Sequence, residues 1–218
     1  MSYVYMKVLE SAPQRYERGM RLLTLGRIEQ ARLDVAARVR RGDRVLDIGC
    51  GTGAMAVMLA KKGAMVTGMD VAPQMLSLAA RRVREEGLEN RIALKELGAV
   101  DLDTAFADES FDAVVSTLVF SELSDDAIEY ALPECRRILR PGGLLLIADE
   151  VLPKSMPGRI ATFLFRLPFA VAAFVLTQNT TRRVAGLEDW ISDAGFRMLD
   201  TESYLMGTMK LFVAEKAA

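Results

Sequence analysis

A glycine-rich turn at residues 45–53 is the part of this sequence that is most suited to binding a ligand. It reads VLDIGCGTG, an apolar run that predicts a strand, followed by a turn that opens a predicted helix. Glycines at 49, 51 and 53 permit positive φ angles and let a ligand approach the backbone closely. The GxGxG spacing differs from the GxGxxG of dinucleotide-binding sheets, and the GK[ST] ending of a phosphate-binding P-loop is absent. Taken alone, the turn is also compatible with a simple tight connection between strand and helix.

A single acid, Asp70, ends the next predicted strand, at residues 64–70. Because parallel strands end at a common edge, its carboxylate is expected beside the glycine turn. An acid in that position can accept both hydroxyls of a ribose. The alternative is a solvated Asp that caps the helix opening at Pro73. Turn and acid together predict a site for a nucleoside cofactor.

Composition excludes several other chemistries. The 218 residues contain no histidine, which rules out Ser-His-Asp hydrolysis, Cys-His proteolysis and HExxH zinc hydrolysis. The formal net charge of −1 argues against a nucleic-acid partner. The two cysteines, Cys50 and Cys135, form no CxxC pair, so no metal site is expected, and two free thiols in a reducing cytoplasm are favoured over a disulfide. Residues 1–19 lack the pattern of a signal peptide.

Strand and helix patterns alternate through the middle of the chain. Strands are predicted at 44–48, 64–70, 91–97, 111–118 and 144–148, and helices at 53–62, 73–86 and 124–139. Pro73 and Ser124 are typical of helix starts. This alternation predicts a parallel sheet with helices on both faces. Residues 196–205 and 209–215 predict an antiparallel hairpin that completes a doubly wound α/β sheet.

Four segments, in this order and at this spacing, resemble those of the class I S-adenosylmethionine-dependent methyltransferases. They are VLDIGCGTG at 45–53, Asp70, FDAVVS at 111–116 and LRPGG at 139–143. The resemblance covers the core of the chain from about residue 40 to 150. It implies a Rossmann-like sheet in the order 3-2-1-4-5-7-6 with strand 7 antiparallel. It also implies S-adenosyl-L-methionine as cofactor and S-adenosyl-L-homocysteine as product.

The resemblance also implies roles for individual residues. The methionine half of the cofactor would face Asp47 and the turn residues Gly49, Cys50, Gly51 and Gly53. The ribose would lie on Asp70, and the adenine would lie between Val71 and Met75, with Asp101 near its amino group. Ser116 and Thr117, at the end of the fourth strand, would lie against the cofactor.

The amino-terminal segment points to a subfamily. Residues 16–26, YERGMRLLTLG, resemble the YDxxNxxLSxG segment of ubiquinone and menaquinone biosynthesis C-methyltransferases, with Glu17 and Met20 as departures. In that subfamily the segment covers the cofactor, which makes Tyr16 a candidate cofactor contact. The alternative is an ordinary packing helix.

Glu122 is the candidate catalytic base. Many family members carry a pair of histidines where this chain has Ser121 and Glu122. Methyl transfer from a sulfonium needs mainly proximity and orientation, and a base only where the acceptor must lose a proton. Asp149 and Glu150, after the fifth strand, are the next candidates for the base after Glu122. All three acids are also compatible with capping or structural roles.

The apolar segment at residues 160–176 is too short, and too interrupted by Arg166 and Pro168, for a membrane-spanning helix. Three interpretations stay open: a cap over a lipophilic acceptor, core or homodimer packing, and peripheral docking on a membrane surface.

We therefore predict one methyltransferase domain over residues 1–218. It divides into a helical lid (1–43), a cofactor-binding core (44–150), an apolar cap insert (151–186) and a carboxyl-terminal helix and hairpin (187–218). The predicted acceptor is small or lipophilic, and quinone-like on the resemblance. The alternatives are an enzyme that methylates a protein or a protein-bound cofactor, and a non-catalytic S-adenosylmethionine-binding module. The predicted location is cytoplasmic, with membrane association open.

Overall fold

The computed structural model describes residues 26–151 and 184–217. Tyr16, most of the predicted lid and the apolar segment 160–176 lie outside the described residues. The division into lid, core and insert therefore stays a prediction.

Helices and strands alternate through the described part of the chain. In chain order they are α1 Arg27–Arg38, β1 Arg44–Ile48, α2 Ala54–Lys61, β2 Met65–Asp70, α3 Pro73–Glu85, β3 Ile92–Glu96, α4 Leu102–Ala105, β4 Phe111–Thr117, α5 Asp125–Ile138, β5 Leu139–Glu150, α6 Leu187–Asp193, β6 Phe196–Tyr204 and β7 Met209–Lys216. Two short 3-10 turns, Phe120–Glu122 and Leu205–Gly207, follow β4 and β6. Ser124 caps α5 as predicted, because its hydroxyl accepts the Ala127 amide at 3.2 Å.

β1 lies beside the central strand β4, and the strand order reverses between the two. The strands are arranged β3-β2-β1-β4-β5-β7-β6. β1 pairs in parallel with β2 and β4, and β7 runs antiparallel between β5 and β6. The predicted doubly wound sheet with an antiparallel seventh strand is therefore confirmed. In such sheets ligands bind at the carboxyl ends of the strands, where the order reverses.

β5 differs most from its prediction. The sequence predicts a strand at 144–148 after a turn at 141–143, whereas β5 begins at Leu139 and includes that turn. Leu139 is completely buried and pairs with Phe111, before a shift of register. Pro141 is tolerated because it lies in the exposed first part of the strand.

The core fills both faces of the sheet. Successive residues of β1 point to opposite faces, so Val45 packs with α1 and α2, while Leu46 and Ile48 pack with α5 and α6. By the same alternation Asp47 shares a face with Val45, and its carboxylate points toward the side of α1 and α2.

A polar cluster fastens α1 to β6. The Tyr204 hydroxyl lies 2.7 Å from a carboxylate oxygen of Asp34 and 2.8 Å from one of Glu202. Arg38 donates to Asp200 at 3.0 Å and also to Glu202. The contacts between α1 and β6 join residues that are 162 to 170 positions apart in sequence.

Cys50 and Cys135 are free thiols, as predicted, and both are buried. Among residues 26–151 and 184–217, none of the helices has the length and apolar character that a membrane span requires. Within the same ranges no three His, Cys, Asp or Glu side chains come together as a metal site.

Candidate functional site

The connections that follow β1, β2 and β4 meet at one edge of the sheet. The Cys50 amide donates to the Met69 carbonyl at 2.9 Å, which folds the glycine turn against the end of β2. The Gly53 amide donates to the Cys50 carbonyl at 2.9 Å and leads directly into α2. The turn is thus held by its own backbone and by the end of β2.

The three glycines of the turn are needed for different reasons. Their φ angles are 67°, 52° and 76° at positions 49, 51 and 53. A Cβ on Gly49 would lie 2.2 Å from Val119 Cγ2, and one on Gly53 would lie 3.0 Å from the Cβ of Ala79 in α3. A Cβ on Gly51 would meet nothing within 4 Å. Gly49 and Gly53 therefore permit close packing, whereas Gly51 exposes backbone to an open space.

Asp70 is joined to that exposed backbone. One of its carboxylate oxygens accepts the Gly51 amide at 2.8 Å, and the other accepts the Ala72 amide at 2.9 Å. The alternative role as a helix cap is wrong, because the N-cap of α3 is Ala72, without a side-chain cap bond. Each oxygen keeps a second lone pair, so Asp70 can still accept ribose hydroxyls. Its contact with a ribose stays a prediction.

Asp47 is a completely buried carboxylate beneath the turn. Neither of its oxygens accepts a hydrogen bond within the described part of the chain. Burial raises the pKa of Asp47 to about 7; the positive charge of Arg32 and the nearby backbone amide of Ala56 oppose this rise, and the charge of Asp70 adds to it. A buried acid without a partner is costly, and a cationic ligand group would compensate that cost.

Two exposed valines lie in the connections that follow β2 and β3. Val71 is 56% exposed and Val100 57%, and the two lie next to each other in the loops after β2 and β3. Both would lie within 4 Å of a Cβ on Gly98, at 3.2 and 3.8 Å. Asp101 holds this loop, because its carboxylate accepts the Gly98 amide at 2.7 Å. The pair forms an apolar ledge suited to a flat ring, with Asp101 at its edge.

The other predicted contacts lie deeper. Ser116 is completely buried and donates to the Ile48 carbonyl at 3.3 Å, so its side chain joins β4 to β1. Cys50 packs against β2, and burial raises the pKa of its thiol strongly. Met75 is buried in α3, and Thr117 is half-buried at the end of β4. Their contacts with a cofactor stay predictions.

The turn after β4 is strained and held from β5. Leu118 has a φ of 61°, a left-handed conformation that costs a non-glycine residue free energy and persists only where its surroundings fix it. Asp149 is completely buried, and it accepts the Ser121 amide at 3.3 Å and the Glu150 amide at 2.7 Å. Burial raises the pKa of Asp149 to about 6, while hydrogen bonds from Ser121 and neighbouring amides lower it. Asp149 therefore fixes the segment that carries Glu122.

Glu122 lies on this turn, open to solvent on one side. Enough protein surrounds its carboxylate that desolvation is the largest influence, followed by the charges of Asp149 and Asp70, and all three raise its pKa above the ordinary value. A raised pKa suits a carboxylate that accepts a proton near neutral pH. Its role as a base stays a prediction.

Sequence reasoning missed three residues of this site. In the sequence, Val119 and Val100 are recognisable only as apolar residues. Their contacts with Gly49 and Gly98 depend on how the loops fold, which the sequence pattern does not show. Arg32 belongs to α1 and is brought toward Asp47 only by helix packing. The sequence does indicate which face of β1 carries Asp47, because side chains alternate along a strand and Asp47 is two residues after Val45.

The described residues fit an adenosine that carries a charged amino acid. Three features follow one another along the edge of the sheet. They are the open backbone at Gly51, the Asp70 carboxylate, which can accept ribose hydroxyls, and the apolar ledge of Val71 and Val100. The unpartnered carboxylate of Asp47 lies at the other end.

Comparison with known proteins agrees with this arrangement. Residues 45–143 match the family description "Methyltransferase domain". The chain is 36% identical over 173 residues to methyltransferase GfsG of Streptomyces halstedii, which covers 78% of this chain and 56% of that protein. It is 38% identical over 168 residues to demethylmenaquinone methyltransferase of Thermus thermophilus, which covers 73% of each chain. The alignment with GfsG thus spans little more than half the length of that protein.

Solved structures share the fold. The [4+2]-cyclase SpnF is 22% identical, with a TM-score of 0.68 over 86% of this chain and 82% of that one. Geranyl diphosphate methyltransferase in complex with SAM is 17% identical, with a TM-score of 0.67 over 87% of this chain and 85% of that one. At these identities the likeness shows the fold alone.

Gly49→Ala should destabilise the protein through Val119. The new methyl group would overlap Val119, at a cost of roughly 1–3 kcal/mol beyond the strain of a positive φ. Adding Val119→Ala should recover part of this loss. Urea unfolding measures each variant, with Gly51→Ala as control, because its open surroundings leave nothing for Val119→Ala to relieve. Equal effects of Val119→Ala in both backgrounds would contradict the packing argument.

Asp70→Ala should weaken S-adenosylhomocysteine binding at least about tenfold, because charge-assisted hydrogen bonds are lost. Part of that loss would come from releasing the Gly51 amide. Calorimetry with a 2′,3′-dideoxy analogue separates the two effects, since only a direct contact with the hydroxyls makes the mutation less harmful for the analogue. An equal loss for both ligands would refute the ribose assignment.

The cofactor-free protein should lose stability as pH rises from 5 to 8. An unfolded aspartate ionises near pH 4, whereas folded Asp47 keeps its proton up to about pH 7. The native state therefore binds more protons in this window, and its free energy of unfolding falls with rising pH. Asp47→Asn should lose less, by on the order of 2 kcal/mol. Parallel pH profiles of urea unfolding in the two proteins would show that Asp47 is not titrating.

Proposed function

Because this chain belongs to the class I S-adenosylmethionine-dependent methyltransferases, we propose that it transfers a methyl group to a small, lipophilic acceptor with a quinone-like ring. Its cofactor is S-adenosylmethionine. The observation that carries the assignment is the buried, unpartnered Asp47 beneath an open glycine turn. That arrangement provides for a ligand with both a cationic group and a nucleoside.

The relatives support the choice of acceptor. The Thermus thermophilus protein is a demethylmenaquinone methyltransferase by name, and others of that name, with a ubiquinone biosynthesis O-methyltransferase, are also similar. The predicted cap at 160–176 agrees with a lipophilic acceptor, although it lies outside the described residues. Ubiquinone- and menaquinone-type precursors are the acceptors to test first.

When bound, S-adenosylmethionine supplies a methyl group made electrophilic by the adjacent sulfonium. The protein's contribution is chiefly orientation. Asp47, Asp70 and the Val71–Val100 ledge would hold the nucleoside and its amino-acid end, and the turn after β4 would face the acceptor.

Glu122 would accept a proton from the acceptor. A hydroquinone ring becomes a stronger carbon nucleophile when one hydroxyl loses its proton, and the carboxylate of Glu122 can take that proton. Because its pKa is raised, Glu122 is better suited than an ordinary glutamate to act as a base near neutral pH. With no histidine in the chain, carboxylates are the side chains suited to this transfer.

An acceptor screen with methyl-labelled cofactor tests the function. We expect label in reduced quinone precursors, and a kcat lowered about 10²-fold or more by Glu122→Gln. Glu129→Gln, on the exposed face of α5, is the matched control and should leave kcat unchanged. Label that enters only protein from a host-cell extract would overturn the lipophilic acceptor, and undiminished turnover by Glu122→Gln would remove Glu122 from the chemistry.

A further inference from the structure

Two leucines have a left-handed backbone at the edge of the sheet that carries the site. Leu118, directly after β4, has a φ of 61°, and Leu205, directly after β6, has a φ of 49°. A positive φ is an outlier for a bulky side chain such as leucine, and it costs free energy. Because β4 and β6 both run parallel to β5, the two leucines lie at the same edge of the sheet.

The left-handed conformation turns both side chains to one face. Side chains alternate along a strand, so continued β4 geometry would place Leu118 on the face of Val114. In the same way, continued β6 geometry would place Leu205 on the face opposite Tyr204. Both leucines instead pack against the cluster that contains Val115 and Tyr204, on the side of α1 and α2. The positive φ therefore reverses the direction of each leucine.

Hydrogen bonds hold both leucines in place. The Leu118 amide donates to the Ala148 carbonyl at 2.9 Å, which attaches this residue to β5. The Leu205 carbonyl accepts the amide and the hydroxyl of Thr208, at 3.2 and 2.9 Å. Both leucine side chains are only partly buried. Each one therefore presents apolar surface that is positioned before a ligand arrives, and less of the binding free energy is spent on ordering it.

The ends of β5 and β7 fill the space between the two leucines. Glu150 pairs with Met209, and Met209 pairs with Tyr204, so the three side chains form a row on one face. Met209 is completely buried in the cluster that both leucines contact, whereas Glu150 is the polar member of the row and lies nearer to β4. β4 and β6 are three strand spacings apart, roughly 14 Å. That distance suits a ligand with a polar ring at one end and an apolar chain at the other.

The Leu118 end of this row lies beside the proposed chemistry. Leu118 belongs to the turn after β4, which also carries Glu122. We propose that Leu118 and Leu205 are specificity-determining residues for the acceptor, with Leu118 against its ring and Leu205 against a lipophilic tail. The inference rests on the quinone-like acceptor of the proposed function and adds that the enzyme selects acceptors by their tail.

Kinetics with two acceptors test this assignment in the full chain. The acceptors are a reduced quinone precursor with a long prenyl tail and the same ring without a tail. The wild type should have the higher kcat/KM for the prenylated acceptor. Leu205→Asn should lower that value about tenfold and leave the value for the tailless ring within about twofold of the wild type. Leu118→Asn should lower both values, because both acceptors carry the ring.

Asparagine is the chosen replacement because it tolerates a positive φ and is close to leucine in size, so the change is mainly one of polarity. Leu205→Met keeps the apolar surface and should retain most of the preference for the prenylated acceptor. Leu199→Asn, at an exposed leucine of β6 far from its carboxyl end, is the matched control and should change neither value. Unchanged S-adenosylhomocysteine binding shows that each variant is folded.

Three outcomes would overturn the proposal. If Leu205→Asn lowers kcat/KM equally for both acceptors, or for neither, Leu205 does not contact the tail. If the wild type uses both acceptors equally well, the enzyme does not select by the tail. In these two cases turnover by the wild type leaves the proposed function intact. If the wild type methylates neither acceptor, the quinone-like acceptor of the proposed function fails, and the role of the two leucines fails with it.

Discussion

Val119 packs against Gly49 so closely that position 49 has no room for a side chain. This contact joins the turn after β1 to the turn after β4, the two connections on either side of the reversal in strand order. Asp149 holds the second turn through buried hydrogen bonds, and Asp70 holds the first by binding Gly51. The cofactor turn and the turn that carries Glu122 therefore cannot move independently. The strained backbone of Leu118 is maintained because its surroundings fix it from both sides.

The site concentrates negative charge that the described chain does not neutralise at close range. Asp47 and Asp149 are completely buried, and the pKa values of both are raised by that burial. Such an arrangement lowers stability and persists because it serves binding. A cationic cofactor group beside Asp47 would reverse the balance there, because it would let that carboxylate ionise. The absence of histidine fits this picture, because carboxylates and backbone amides provide the binding groups.

Local sequence patterns predicted more of the site residues than of the residues packed around them. Asp47, the three glycines and Asp70 were recognisable because their spacing follows the geometry of a strand, a turn and the next strand. Ser124 was recognisable as a cap for the same reason. The start of β5 was not, because Leu139 joins the sheet through its pairing with Phe111, a contact distant in sequence. Arg32 and Val119 were missed for that reason too: each matters through one neighbour that only the tertiary fold supplies.

The hydrogen bonds between α1 and β6 also determine when the fold can be completed during synthesis of the chain. Arg38 and Asp34 must wait for partners that lie 162 to 170 residues later. At translation rates of about 5–20 residues per second, that delay is roughly 10–30 s. During this time α1 can already pack against β1 and α2, which emerge soon after it, but it lacks its polar bonds to β6. A nascent chain would therefore complete the glycine turn well before α1 is fastened to the last part of the sheet, and the polar cluster between α1 and β6 closes only near the end of translation.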